Sequence, residues 1–152
     1  MKKLFRYLLI ASALLFFQKA PAQIYRNAAG ITIDFGDGGT WVGPAIKHFF
    51  DKHNALQGEV LFGNGATFLS TFYQYNESIP NAKGLNYYFG VGPSLGFGGG
   101  ETAFLLRPAA GLDYKIAATP LNLAFDWRPA FVVTGGTQFI AARFGLGLRF
   151  SF

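Results

Sequence analysis

The chain has 152 residues, enough for one domain or two at most, and 14% of them are charged while 51% are hydrophobic and 18% are aromatic. Soluble domains usually carry about 25% charged residues, so this composition argues against an ordinary water-exposed surface. Cysteine is absent, which excludes disulfide bonds, thiolate metal sites and a cysteine nucleophile.

The first 22 residues predict a secretory signal peptide. A basic start is followed by an apolar run over residues 7–17 and by the small residues Ala20-Pro21-Ala22, with cleavage expected before Gln23. The run is shorter than the roughly 20 residues of a spanning helix. Cleavage removes four of the 13 basic residues, so the remaining chain has nine basic and 8 acidic residues and a net charge of about +1. The basic net charge of the full sequence therefore gives no support for a nucleic-acid partner. Residues 23–152 are predicted to form one domain.

The domain alternates between bulky apolar and small or polar side chains, which is the period of a β-strand with two different faces. In chain order, we predict strands over residues 31–36, 42–50, 56–63, 67–75, 85–97, 104–116, 121–133 and 139–152. Short segments rich in glycine, asparagine and proline separate them and predict turns. Aromatic residues fall on both parities of residues 67–75, so the facing of that strand stays open.

The bulky parity is predicted to face outward. The interior of an eight-stranded barrel is barely wide enough to be filled by side chains, so it cannot accept a large apolar residue at every second position. Outward phenylalanine and leucine are tolerated in lipid, where a closed barrel satisfies all backbone groups. The predicted fold class is all-β, an eight-stranded antiparallel transmembrane β-barrel after a cleaved signal peptide. The structural alternative is a soluble lipocalin-like carrier with the apolar parity inside.

Charged residues of both signs fall on the opposite parity. Because an unpaired buried charge is costly, we predict that they form a lumen network of ion pairs and water that fills the narrow barrel rather than a selective pore. The ten residues are Asp34, Lys47, Glu59, Arg107, Asp113, Lys115, Asp126, Arg128, Arg143 and Arg149.

The whole domain resembles small outer-membrane β-barrel proteins of Gram-negative bacteria. The segments Ala45-Ile-Lys-His-Phe-Phe50, Gly84-Leu-Asn-Tyr-Tyr-Phe-Gly90, Gly111-Leu-Asp-Tyr-Lys115 and residues 120–129 are similar to an uncharacterised Bacteroidota group. The end of the last strand, with Phe150 and Phe152, resembles the signal that the barrel-assembly machinery recognises. The resemblance implies a location in the bacterial outer membrane, with membrane lipid and the assembly machinery as partners, and it implies no activity.

Little in the sequence predicts catalysis. His48 and His53 are the only histidines; the predicted topology puts both at the periplasmic end, and neither precedes a serine as in the lipid A deacylase barrels. Asp34 and Asp37 precede glycines but lack the other ligands of a calcium loop, and residues 96–100 lack the lysine of a phosphate loop. We therefore expect a monomer that is not an enzyme and has no metal or cofactor.

Three prolines fall inside predicted strands five, six and seven, where proline removes a ladder hydrogen bond. They are Pro93, Pro108 and Pro129. Bulges at the barrel rim account for them; the alternative is a weakened wall through which a lipid-like molecule passes. The predicted function is a non-enzymatic outer-membrane barrel with a structural or small-ligand role. The alternatives are a conduit or binding site for hydrophobic molecules and the soluble periplasmic carrier.

Overall fold

Strands make up most of residues 25–152, the part of the chain that the computed structural model describes. The segments are β1 (Asn27–Gly36), β2 (Gly39–Phe49), β3 (Asn54–Gly63), β4 (Ala66–Ser78), β5 (Leu85–Gly98), β6 (Glu101–Lys115), β7 (Leu121–Trp127), β8 (Ala130–Val132), β9 (Gln138–Ile140) and β10 (Arg143–Ser151). The predicted signal peptide lies outside the described residues. Within residues 25–152, no helix is long and apolar enough to cross a membrane.

The ten segments make eight barrel strands. Segments β7 and β8 both pair with β6 and together form barrel strand seven. Segment β9 pairs with β8 and β10 pairs with β7, so β9 and β10 together form barrel strand eight. Every barrel strand pairs antiparallel with the next along the chain, and β1 pairs with β10, with Ile31 opposite Leu148. The ring is therefore closed, and the predicted eight-stranded antiparallel barrel is confirmed.

The bulky parity faces outward, as the volume argument predicted. Ile46, Phe89 and Leu148 are 65%, 60% and 51% exposed, whereas the next residues along the chain on two of those strands, Lys47 and Arg149, are 1% exposed. An apolar lumen of the lipocalin type is therefore wrong for this chain. Charge is also nearly absent from the outer wall: in the described strands, Glu77 alone carries a charged side chain on the outward parity, and it lies near the end of β4.

The sequence did not show which face of β4 points outward; in the structure its odd-numbered residues lie on the outer face. Leu69, Tyr73 and Tyr75 are exposed, while Phe72 and Gln74 are almost completely buried in the lumen. The large apolar ring of Phe72 therefore lies on the inner face of β4, beside two guanidinium groups.

The two ends of the barrel differ. At one end, which we call the hairpin end, β1–β2, β3–β4 and β5–β6 are joined by two-residue turns; Asn64 and Gly65 in the second have φ of 50° and 72°, the two positive values that a type I′ hairpin requires. At the other end, the termini end, Tyr25 and Phe152 lie together with the connections 50–53, 79–84 and 116–120.

Candidate functional site

The candidate site is the lumen, because the buried charged side chains of the barrel lie there. Nine of the ten charged residues that the sequence placed inside do line it, each at most 5% exposed, as five cations and four carboxylates: Lys47, Arg107, Arg128, Arg143 and Arg149 with Asp34, Glu59, Asp113 and Asp126. They arrive there because strand alternation turns every second residue inward. They form three connected groups along the barrel.

Lys115 is the exception. It shares the inward parity but lies at the last position of β6, where it is only half-buried and donates a hydrogen bond to the backbone carbonyl of Thr119 in the following turn. It does not belong to the lumen network, because β6 reaches the termini end of the barrel before Lys115 can enter the interior.

The termini-end group is centred on Asp113. Its carboxylate accepts hydrogen bonds from Tyr25 Oη at 2.6 Å, from Lys47 Nζ at 3.0 Å and from the amide of Asn122. Lys47 Nζ also donates to Asn76 Oδ1 at 2.8 Å. This one buried carboxylate therefore has a full set of donors.

The central group is centred on Arg128. Its Nη1 lies 2.9 and 3.1 Å from the two carboxylate oxygens of Glu59, and its Nη2 lies 2.7 Å from Asp126. Tyr88 also donates to Asp126, and the guanidinium carbon lies 5.3 Å from the centre of the Phe72 ring. One guanidinium thus binds two carboxylates, Asp126 on its own barrel strand and Glu59 on β3.

A relay of amides extends the central group toward the final strand. Gln57 Nε2 donates to Glu59 at 3.1 Å, while Gln57 Oε1 accepts from Arg149 Nη1 at 3.1 Å and from Gln74 at 3.2 Å. In residues 25–152, no carboxylate oxygen lies within ion-pair distance of Arg149. With five buried cations and four buried carboxylates, the lumen as a whole carries one surplus cation.

The hairpin-end group is centred on Asp34, which lies between two guanidiniums. Arg107 Nη2 approaches it at 2.6 Å, and Arg143 Nη2 binds its other oxygen. Arg143 Nη1 donates to the carbonyls of Asp37 and Gly39 at 2.7 and 2.9 Å, and its guanidinium lies 4.5 Å over the Trp41 ring. Together the three groups extend along the lumen from Asp113 to Asp34 and join side chains from different strands.

Several members of this network were not singled out from the sequence: Tyr25, Gln57, Gln74, Asn76, Tyr88 and Asn122. The five that lie within strands share the inward parity of the charged residues, so the signal that would have found them is their position rather than their type. Tyr25 precedes β1, and only the fold shows that it turns into the barrel.

The histidines lie at the termini end, as expected. His48 Nδ1 is 2.7 Å from the side-chain oxygen of Asn27, and His53 Nδ1 is 3.1 Å from the carbonyl of Asn76 and 3.2 Å from Glu77. In the adjoining turn, a hydrogen bond from the Asn54 amide and two from backbone N–H groups lower the pKa of Asp51. These contacts fix a turn and bring no serine nucleophile to a histidine.

Asp34 points into the lumen, while Asp37 lies exposed in the turn after β1, so the two carboxylates, which lack the other ligands of a calcium loop, also face different surroundings. More widely, no three histidine, aspartate or glutamate side chains within residues 25–152 are grouped so that they could hold a metal ion.

Opposed prolines interrupt one seam of the wall. The pairing between β6 and barrel strand seven skips three residues on each side, and Pro108 lies opposite Pro129 at the centre of that gap. The carbonyl of Arg128 accepts a hydrogen bond from Arg107 Nη2 at 3.2 Å. On the other edge of barrel strand seven, an extra residue near Ala141 forms a bulge. Hydrogen bonding is thus weakened on both edges of that strand at one height.

Pro93 weakens a different seam. Pairing between β4 and β5 skips Thr71 and Phe72, where Pro93 is opposite Thr71. Between the two gaps, β5 and β6 pair without a break over fourteen positions that include Pro93 and Pro108. The three prolines therefore do not weaken a single stretch of wall, because the continuous β5–β6 hairpin separates Pro93 from the other two.

Two solved β-barrel structures share the fold of this chain. The N-terminal β-barrel domain of Pseudomonas aeruginosa OprF aligns with a TM-score of 0.63 at 15% sequence identity, over 83% of this chain and 98% of that domain. A de novo designed transmembrane β-barrel aligns with a TM-score of 0.60 at 11% identity, over 86% and 98%. No protein-family model and no curated protein sequence matches the chain. At these identities the likeness shows the fold, a closed transmembrane β-barrel.

Proposed function

We propose that the protein is a non-enzymatic, monomeric β-barrel of the bacterial outer membrane whose ion-paired lumen serves the structure of the barrel rather than transport. The observation that carries the proposal is the lumen network, in which groups on opposite walls are joined from Asp113 at one end to Asp34 at the other. Such a barrel resists deformation and offers no continuous water path, because its centre is filled by side chains.

The outer membrane is the proposed location because closed transmembrane barrels of this type occupy it and because the outer wall is apolar between the strand ends. The terminal aromatic residues support recognition by the assembly machinery: Phe152 is 63% exposed beyond the end of β10, and Phe150 faces outward on that strand. We also propose that residues 1–22 are a signal peptide and that the barrel is related to outer-membrane barrels of Bacteroidota.

The test is gel mobility of the washed outer-membrane fraction, combined with permeability of reconstituted vesicles. We expect the unboiled protein to migrate differently from the boiled protein, since folded membrane barrels resist detergent, and we expect vesicles containing it to retain a trapped disaccharide as well as protein-free vesicles do. Vesicles with a 16-stranded porin serve as the leaking control. Release of the disaccharide at a rate proportional to the amount of folded barrel would contradict a closed lumen.

A second candidate function is sideways passage of a lipid-like molecule through the wall. The observation that favours it is the gap between β6 and barrel strand seven, where opposed Pro108 and Pro129 leave three positions without ladder pairing. A wall opens most easily where it has the fewest hydrogen bonds to break.

Replacing both prolines with alanine, Pro108→Ala with Pro129→Ala, is expected to slow amide exchange in residues 104–110 and 127–132, because each alanine restores a backbone N–H. Exchange is followed by mass spectrometry on the barrel in lipid vesicles. Pro93→Ala is the matched control: it restores an N–H in the β4–β5 seam and is expected to leave these two segments unchanged. Unaltered protection in the double variant would remove the basis for a weak wall there.

A further inference from the structure

Two cavities lie next to each other at the hairpin end, above the lumen network. The smaller, of about 80 Å³, is lined by Trp41, Phe68, Leu105, Ala130 and Ile140 on its apolar side and by the Asp34 group on its floor. The larger, of about 680 Å³, is a concavity at the rim between the turns at residues 64–66, 98–102 and 134–135. Phe68 lines both, so a molecule in one borders on the other.

Two residues that line the smaller cavity carry buried N–H groups without acceptors. Among the described residues, Arg107 Nε and Trp41 Nε1 are shielded from solvent and have no hydrogen-bond partner, and both residues line this cavity. Arg107 is only 3% exposed. Buried N–H groups are normally satisfied, so these two N–H groups favour an acceptor atom at this place.

The local charge favours an anionic acceptor. Arg107 and Arg143 share the single buried carboxylate of Asp34, which leaves one positive charge at the cavity floor. Asp37 also lines the cavity, but it is exposed in a turn, where solvent screens its charge. The cavity floor therefore favours a ligand group that carries one negative charge on an oxygen atom.

Size decides how much of a ligand enters. Pockets for whole small molecules measure roughly 300–1,000 Å³, so the cavity of about 80 Å³ admits a head group while the rim concavity of about 680 Å³ has room for the remainder. The geometry points to a binding site for an organic acid with an apolar body, whose carboxylate meets Arg107 and Trp41 in the smaller cavity and whose chain lies toward the rim. The site needs the folded barrel of the proposed function but not its closed lumen or its sideways path.

Quenching of tryptophan fluorescence by a brominated acid tests this site directly. The barrel has two tryptophans in the described chain, Trp41 inside and Trp127 on the outer wall, so Trp127→Phe leaves a lumen reporter and Trp41→Phe leaves a lipid reporter. The probe is 2-bromododecanoic acid, which carries bromine beside its carboxylate; its methyl ester has the same chain without the charge. Both are added to the barrel in phosphatidylcholine vesicles.

We expect the acid to quench Trp41 saturably and the ester, at the same membrane concentration, to leave it unquenched, while the two quench Trp127 equally. Ala130→Leu fills the smaller cavity without changing a charge and is expected to weaken quenching of Trp41 at least fivefold; Ala110→Leu adds the same volume on the outer face and is the matched control. Ile140→Phe is a second blocking variant if Ala130→Leu fails to fold.

Equal quenching of Trp41 by acid and ester, quenching that survives both blocking variants, or no saturable quenching at all would overturn the site; the last result means that water alone satisfies the two donors. The heat-dependent gel shift is recorded for every variant. A folded barrel that fails to bind the acid therefore rejects this inference and leaves the proposed function standing, whereas loss of the shift in the unsubstituted protein rejects the proposed function itself.

Discussion

Replacing Arg128 with methionine is expected to destabilise the barrel by about 3–5 kcal/mol, the range for removing one partner of a buried ion pair. Arg128 is almost completely buried and lies between Glu59 and Asp126, so the variant leaves two carboxylates in the lumen without their cation. Methionine fills most of the space, so the loss is one of charge rather than of packing. The measurement is the urea midpoint for loss of the heat-dependent gel shift in lipid vesicles.

Two further variants test whether the loss of ion pairs is what destabilises the Arg128→Met barrel. Lys115→Met also removes a cation from an inward position, but Lys115 lies at the barrel end and binds only the Thr119 carbonyl, so its cost is expected to stay below about 1 kcal/mol. Adding Glu59→Gln and Asp126→Asn to Arg128→Met is expected to recover part of the lost stability, since the unpaired charges are then gone. Equal effects of Arg128→Met and Lys115→Met would show that the lumen network does not stabilise the barrel.

Placing arginine at Leu148 is expected to cost about 2–4 kcal/mol, the penalty for a cation facing lipid near the bilayer midplane. Leu148 faces outward in the middle of β10 and lies opposite Ile31 and Leu123 on the adjoining strands, so an arginine there has only apolar neighbours. The stability of the Leu148→Arg variant is measured by the same urea titration in vesicles.

Phe139→Arg is the matched control for depth. Phe139 is exposed to the same degree as Leu148, at 51%, but it lies in β9 at the hairpin end, where an arginine is expected to cost about 0–1 kcal/mol. If Leu148→Arg were neutral and the variant more soluble in the absence of lipid, the outer wall would be facing water and the membrane assignment would be wrong.

The fold was predictable because a barrel depends on local information. Alternation shows the faces of each strand, turn residues separate neighbours, and pairing between consecutive strands follows without further knowledge. The strand that remained ambiguous, β4, contains Phe72 on the inner face; no pattern within one strand predicts that an aromatic ring enters a polar lumen to lie over two guanidiniums.

The charged members of the network could be predicted from the sequence, apart from Lys115, whereas their partners could not. Parity placed Asp34 and Arg107 inside, but they are 73 residues apart and meet because the stagger of the closed ring puts their two heights together. Stagger is a property of the whole barrel, so no local pattern contains it. Lys115 shows the same limit, because parity carries no information on where a strand leaves the barrel.

The seam between the chain ends is as regular as any other in the wall. Nine residue pairs join β1 to β10, and Asn27 and Phe152 exchange two backbone hydrogen bonds of 3.1 and 2.8 Å at its edge. β1 and β10 are therefore fully paired, and this seam differs from the others only because no turn connects its two strands. A circularly permuted barrel, in which Phe152 is linked to the start of β1 and new ends are opened at another turn of the termini end, is therefore expected to form the same strand pairs.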